Sequence, residues 1–370
     1  MTALPPRAAA IWRPLAVLLL LFGVAPAAAF DHAAVAERTL EMHILPGYQR
    51  FHAAAKTFAD KASALCQAPS PSALTQTRDA AREALLAWGH IEHIRFGPIT
   101  KEQRLERLLL YPDPRGFTRK HVARLLKRHD DADIAPGKLA KVSVAVQGFT
   151  ATDYVLFGAG SDELAKPGDT GSFRCRYVKE LANGIAQIAA DTLADWSGDY
   201  KRTWLEPGKS NKTYLAPKEE TQAILRAYAT ELEVVHFHRL APVASEGAKR
   251  SDYAKRLFAH SGHGMPYVLA NIKGVRELLS QGGFTDPSLA ADDRERNEMS
   301  VLDSIVTDLD FAVRAGEKAM AVEPDPLANA KAHAQLAPMI YSLKNAEKTG
   351  RDALGSLTGT SLGFNSLDGD

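Results

Sequence analysis

A strong charge of either sign is absent from this chain: 45 lysines and arginines stand against 44 aspartates and glutamates, a formal net charge of +1. A surface so near neutrality offers no basic field to gather phosphates, so no nucleic-acid partner is expected. Cysteine is scarce, with only Cys66 and Cys175. Neither sits beside a histidine in an activating context, and no His-Glu-x-x-His helix occurs, so nucleophilic or zinc-peptidase chemistry has little local support. Strand-like alternation is nearly absent. Beyond the first thirty residues no run is apolar enough to cross a bilayer, which takes about 20 residues. At 45% hydrophobic and 24% charged, the composition is that of a folded chain and excludes disorder.

What is present begins at the first residues. Arg7 and Arg13 precede an apolar run from Leu15 to Val24, followed by Pro26-Ala27-Ala28-Ala29 and a charged start at Phe30-Asp31. This order is that of a secretory signal peptide over 1–29, cleaved after Ala29. No cysteine ends the apolar run to carry a lipid. The expected location is the periplasm, with no transmembrane span in the mature chain. In that oxidising compartment an even cysteine count favours pairing, so a Cys66–Cys175 disulfide is expected.

The apolar spacing of the mature chain is helical almost throughout, and Pro- and Gly-bearing breaks punctuate it. Ser70 or Ser72 is expected to cap the helix that follows, Pro217 to open one in the middle of the chain, and Asp292 or Asp293 to begin another. The fold class is all-α. The chain exceeds what one hydrophobic core normally serves, and the Gly-rich stretch 161–172 reads as a surface connection. The expected organisation is therefore an N-terminal helical bundle over 30–160, a linker over 161–172 and a C-terminal helical bundle over 173–370.

Four segments carry a family resemblance. Gly148-Phe149-Thr150-Ala151-Thr152-Asp153-Tyr154-Val155-Leu156-Phe157 is similar to a Gly-x-His-x-x-Glu helix with an aromatic and apolar tail. Trp88 followed by His93-Ile94-Arg95-Phe96-Gly97-Pro98-Ile99, then Tyr111-Pro112-Asp113-Pro114-Arg115, and finally 362–370, complete the set in order. Together they resemble the imelysin family of bacterial cell-envelope proteins. The resemblance implies two antiparallel helical bundles packed as a pseudo-repeat, with a functional cleft between them.

A histidine and a carboxylate three residues apart share one helix face and can hold a metal ion. Here the histidine position is Thr150 and the glutamate position is Asp153, so a neutral hydroxyl, a poor ligand for zinc or iron, replaces imidazole. Gly148, Thr150, Asp153, Tyr154, Trp88, Arg95 and Ser261 are the expected cleft residues; Ser261-Gly262 matches in part an Arg-Ser-Gly segment of the family. His90 and His93, at i and i+3, are candidates to complete a metal set with Asp153, and Arg95 to hold a carboxylate or phosphate. His260 and His263 lie on a glycine-broken turn where their side chains could converge. No catalytic residue is assigned. The leading reading is a periplasmic binding protein for iron or another metal, its partner a metal ion, a metal complex or an envelope protein and its candidate cofactor an iron or zinc ion. The alternatives are a metal-dependent peptidase of the imelysin type and a structural envelope protein that binds nothing.

Overall fold

The computed structural model describes residues 30–244, 256–328 and 332–360, so the leader expected at 1–29 and the segment 362–370 lie outside the described residues. All regular structure is helical, with no strand among the described residues. Helix α1 (His32–Thr39) runs through a π segment (Leu40–Ile44) into α2 (Leu45–Gln67). The buried side chains of α2 are Tyr48, Phe51, Ala55, Phe58, Ala62 and Leu65, steps of three and four that lay one apolar stripe along the helix. After a break, Ser70 caps α3 (Pro71–Gly89) by accepting from the Ala73 N–H at 3.1 Å. Pro71 follows at the first helical position, where its missing N–H costs nothing.

Short helices α4 (Arg104–Leu108), α5 (Phe117–Arg128) and α6 (Gly148–Thr152) come next, α6 leading into a second π segment, Asp153–Phe157. Helix α7 (Asp169–Ser197) packs along α2, and the Cys66–Cys175 disulfide ties the end of α2 to the start of α7 with the Cα atoms 5.5 Å apart. This corrects the expected organisation, because 161–172 does not separate one bundle from the other. Its Gly-rich composition reports solvent exposure, whereas the helix after it carries Tyr177, Val178, Leu181, Ile185 and Ile188 buried in the same core as α2. The first bundle is α2, α3 and α7 with the 148–157 segment packed on α7.

The chain leaves through α8 (Asp199–Leu205) and the break at 206–217 to α9 (Lys218–Glu233), a third π segment (Val234–Leu240) and α10 (Ala241–Ala244). Helices α11 (Gly264–Gln281), α12 (Asp293–Val322) and α13 (His333–Thr358) complete a second bundle with α9. Asp292 caps α12 by accepting from the Glu295 N–H at 2.7 Å. The bundles meet where α11 packs on α3 and where α1 packs on α9. No described helix is long and apolar enough to cross a membrane.

Candidate functional site

Gly148 fixes the start of the motif helix. Its φ is +66°, and a Cβ there would lie 2.2 Å from the Leu108 carbonyl oxygen and 2.3 Å from that of Arg107, so only glycine lets α6 sit against the end of α4. The π segment that follows leaves carbonyls without intrahelical partners. Arginines from two neighbouring helices meet them. Arg78 on α3 donates to the Leu156 oxygen at 3.0 Å, and Arg174 on α7 donates to those of Val155 and Ala159, each at 3.0 Å. Asp153 is thereby held in a fixed orientation.

The Asp153 carboxylate is buried and points at the turn that precedes α11. It accepts the backbone N–H of His260 at 3.1 Å and of Ser261 at 3.0 Å, one on each oxygen. Burial raises its pKa above the ordinary carboxyl value, against the lowering effect of the hydrogen bonds from Ser261 and His260. His260 sets its ring edge-on to Tyr154, centroids 4.4 Å apart, and His263 does the same to Phe157 at 5.2 Å. The two turn histidines do not converge; each packs on a different aromatic of the π segment. Burial lowers the His263 pKa to about 4.

Beside Asp153 lies a cleft of about 190 Å³ walled by both halves of the chain. The turn before α5 and its first turn supply Asp113, Arg115, Thr118 and Arg119; Thr150, Asp153 and Tyr154 form the floor; 256–260 forms the far wall. The near wall is pinned to the second half by Tyr111, whose hydroxyl donates to the His238 oxygen at 2.5 Å.

Of the expected cleft residues, Thr150, Asp153 and Tyr154 line this cleft and Ser261 meets Asp153 through its backbone N–H, whereas Gly148 lies against α4 and lines a separate recess with Arg107 and Gln147; the other candidates are placed elsewhere. Trp88 is fully buried against Phe51, centroids 5.3 Å apart, a core residue rather than a cleft one. His90 turns to Glu277 on α11, Nε2 to Oε1 3.2 Å. His93 is buried with its Nε2 2.7 Å from the Nε2 of His43 in the first π segment, a partner that no local spacing reveals. Arg95 lies 3.4 Å from Glu92 and lines a separate recess of about 120 Å³ with Arg226 and Thr230. The expected ligand set Asp153, His90 and His93 is therefore not assembled. Thr150 supplies no charge or imidazole, both Asp153 oxygens already accept N–H groups, and no group of three or more His, Cys, Asp or Glu side chains able to hold a metal occurs among the described residues. The residues present do not fit a metal ion.

A second polar cluster went unrecognised in the sequence. Arg239 in the third π segment donates to Glu92 at 2.7 Å, to Glu231 at 2.8 Å and to Asn271 at 2.5 Å, all four side chains being buried. Tyr267 donates to Glu92 and lies under the guanidinium. Burial, reinforced by Glu92, pushes the Glu231 carboxyl up to about 7. Burial opposes the Arg239 charge, yet Glu92 and Glu231 together hold its pKa above the ordinary arginine value. A signal was present: Ile224, Tyr228, Glu231 and Val235 continue one core stripe, which places a carboxylate on a buried face. Closed to solvent, this cluster is a clasp between the bundles. One Gly-x-Ser-x-Gly spacing exists, at 359–363, but it follows a helix and not a strand, which is not the setting of a nucleophile elbow.

Comparison with known proteins gives one family. The imelysin family model (Peptidase M75) matches residues 44–347. An imelysin-like protein from Psychrobacter arcticum 273-4 has a solved structure that matches with a TM-score of 0.70 at 21% identity, over 91% of this chain and 100% of that one. A structure described as a putative iron-regulated protein A precursor, from Parabacteroides distasonis ATCC 8503, matches with a TM-score of 0.73 at 14% identity, over 90% of this chain and 97% of that one. No curated protein matches the chain.

Proposed function

This chain belongs to the imelysin family, and we propose that it is a periplasmic binding protein that holds a small ligand in the cleft beside Asp153, in the acquisition of iron or another metal. The observation that carries the reading is the cleft's construction: floor and near wall come from the first half of the chain and the far wall from the turn at 256–260, held by Asp153. A site built across two bundles can respond to its ligand by a small change in their relation. The iron relation leans on the fold neighbour described as an iron-regulated protein precursor, and the compartment on the leader-like sequence over 1–29. A hydrolytic zinc centre needs about three protein ligands and an open position, and the donor set around Asp153 does not favour that reading.

The test is recovery of ligand from native protein. Chain purified from a periplasmic fraction is expected to release about one small molecule per chain on denaturation, by mass spectrometry, and Ala259→Trp, which fills the cleft from its far wall, is expected to release none. Equal yields from both, or none from the parent, reject the cleft as a binding site. A strain lacking the protein is expected to grow more slowly under iron limitation; unchanged growth removes iron from the reading.

A further inference from the structure

The hydrogen-bonding inventory of the cleft specifies a ligand charge. Both of its carboxylates are engaged with backbone: Asp113 accepts the N–H groups of Phe117 at 2.8 Å and Thr118 at 2.9 Å, closing the N-terminus of α5, and Asp153 accepts those of His260 and Ser261. The donors are different. Arg115 and Arg119 line the cleft with no hydrogen bond or ion pair among the described residues, whereas Arg256 is held by Asp325 at 2.6 Å. Thr118 and Thr150 are 3% and 8% exposed, both line the cleft, and both hydroxyls lack a partner among the described residues. An unpaired buried hydroxyl is costly unless a ligand meets it.

Resting on the cleft reading above, we infer that the ligand is an oxyanion: a small molecule bearing carboxylate or phosphate groups, seated on the Thr118 and Thr150 hydroxyls and gripped at the mouth by Arg115 and Arg119. Guanidinium groups pair with such oxygens in a charge-assisted, often bidentate manner that needs an acceptor-rich partner. A bare cation would meet two arginines, and carboxylate oxygens that each already accept a backbone N–H. Thr150 offers a hydroxyl that donates to oxygen. The volume, about 190 Å³, equals roughly six waters' share of liquid, the scale of a small polycarboxylate or a phosphate. Burial and the neighbouring Asp153 raise the Tyr154 phenol pKa, keeping it a further donor.

Calorimetric titration of the parent at neutral pH and low salt with citrate, inorganic phosphate, iron(III) citrate and a ferric salt tests this. Saturable binding of at least one of the first three is expected, weakened roughly tenfold or more in the Arg115→Ala/Arg119→Ala double variant and several-fold in Thr150→Val. Both arginines are exposed and have no ion pair among the described residues, so the double variant is expected to melt with the parent. Citrate over phosphate marks a polycarboxylate, the reverse a phosphate, and iron(III) citrate over citrate a metal chelate. The inference is overturned if none of the three binds, if the double variant binds as tightly as the parent, or if the ferric salt alone binds. A neutral or cationic molecule recovered from the parent and absent from Ala259→Trp would end the anion inference while leaving the cleft reading intact.

Discussion

Asp153 accepts the backbone N–H of Ser261, 108 positions further along the chain, at 3.0 Å, and that of His260 beside it. The residue that the motif offers as a metal ligand is thus the acceptor for two N–H groups of a turn in the other half. Asp153→Ala leaves both part-buried donors without their acceptor, a loss of about 1–3 kcal/mol. Asp153→Asn keeps one acceptor oxygen and is expected to fall between parent and alanine variant. Urea denaturation gives the energies, and hydrogen exchange at 260 and 261 should quicken in the alanine variant. Unchanged stability and exchange would show that Asp153 is not the anchor.

Arg239 balances two buried carboxylates, so its removal and theirs are not equivalent. Arg239→Met is expected to destabilise by about 3–5 kcal/mol, because Glu92 and Glu231 are left buried with only the partly exposed Arg95, 3.4 and 3.9 Å away, as a cation. Glu231→Gln is expected to cost less than half as much, since burial already brings the Glu231 pKa to about 7. Equal losses in the two variants, measured by denaturant titration, would contradict this charge assignment.

Acid sensitivity should come from the His43–His93 contact. Burial lowers the His43 pKa to about 3 and that of His93 well below the ordinary value. Groups depressed in the folded state contribute stability that is present above the unfolded value of about 6.5 and is lost as pH falls, by about 1.4 kcal/mol per pH unit for each imidazole that stays neutral. Glu231 acts in the opposite sense: its raised pKa gives stability that is present below about pH 4.3 and lost as pH rises through 7. Between pH 5 and 6.5 the two partly cancel. His43→Leu should flatten the acid-side loss of stability and Glu231→Gln should steepen it; parallel pH profiles for all three proteins would refute the assignment.

The Cys66–Cys175 bridge spans 109 positions. For a loop of that length the chain-entropy estimate is about 4–5 kcal/mol. Cys66→Ser combined with Cys175→Ser is expected to lose about that much in urea, as is the parent after reduction. A difference under about 1 kcal/mol between oxidised and reduced protein would mean that the α2–α7 contact holds the chain ends together without the bond.

The fold was legible where local spacing carries it. The α2 stripe from Tyr48 to Leu65, the Ser70 and Asp292 caps and the start of α9 after Pro217 all follow from neighbouring residues. The boundary was misplaced because a Gly-rich loop discloses exposure and not which helix the next segment will meet. The π segments at 40–44, 153–157 and 234–240 went unseen, since one extra residue in a turn leaves the apolar pattern nearly unchanged. For the site, Gly148, Thr150, Asp153 and Tyr154 are neighbours in one short segment, and Ser261 joins them through its bond to Asp153. His93 was misread because its partner, His43, lies 50 positions away. What Asp153 does was hidden for another reason: its partners are backbone N–H groups, which every residue except proline carries.

The bond between Cys66 and Cys175 also has a topological consequence. It makes the stretch between them a covalent ring, and that ring contains α3, α5, Thr118, Thr150 and Asp153. A protease that cuts once anywhere inside the ring opens it without freeing a piece. After such a cut each arm of the opened ring, with the cleft residues it carries, stays tethered at its Cys66 or Cys175 end, and on a gel run without reductant the nicked protein keeps its full mass. With reductant the same sample separates into two fragments, so the position of a nick relative to residues 66 and 175 can be read from the pair of lanes.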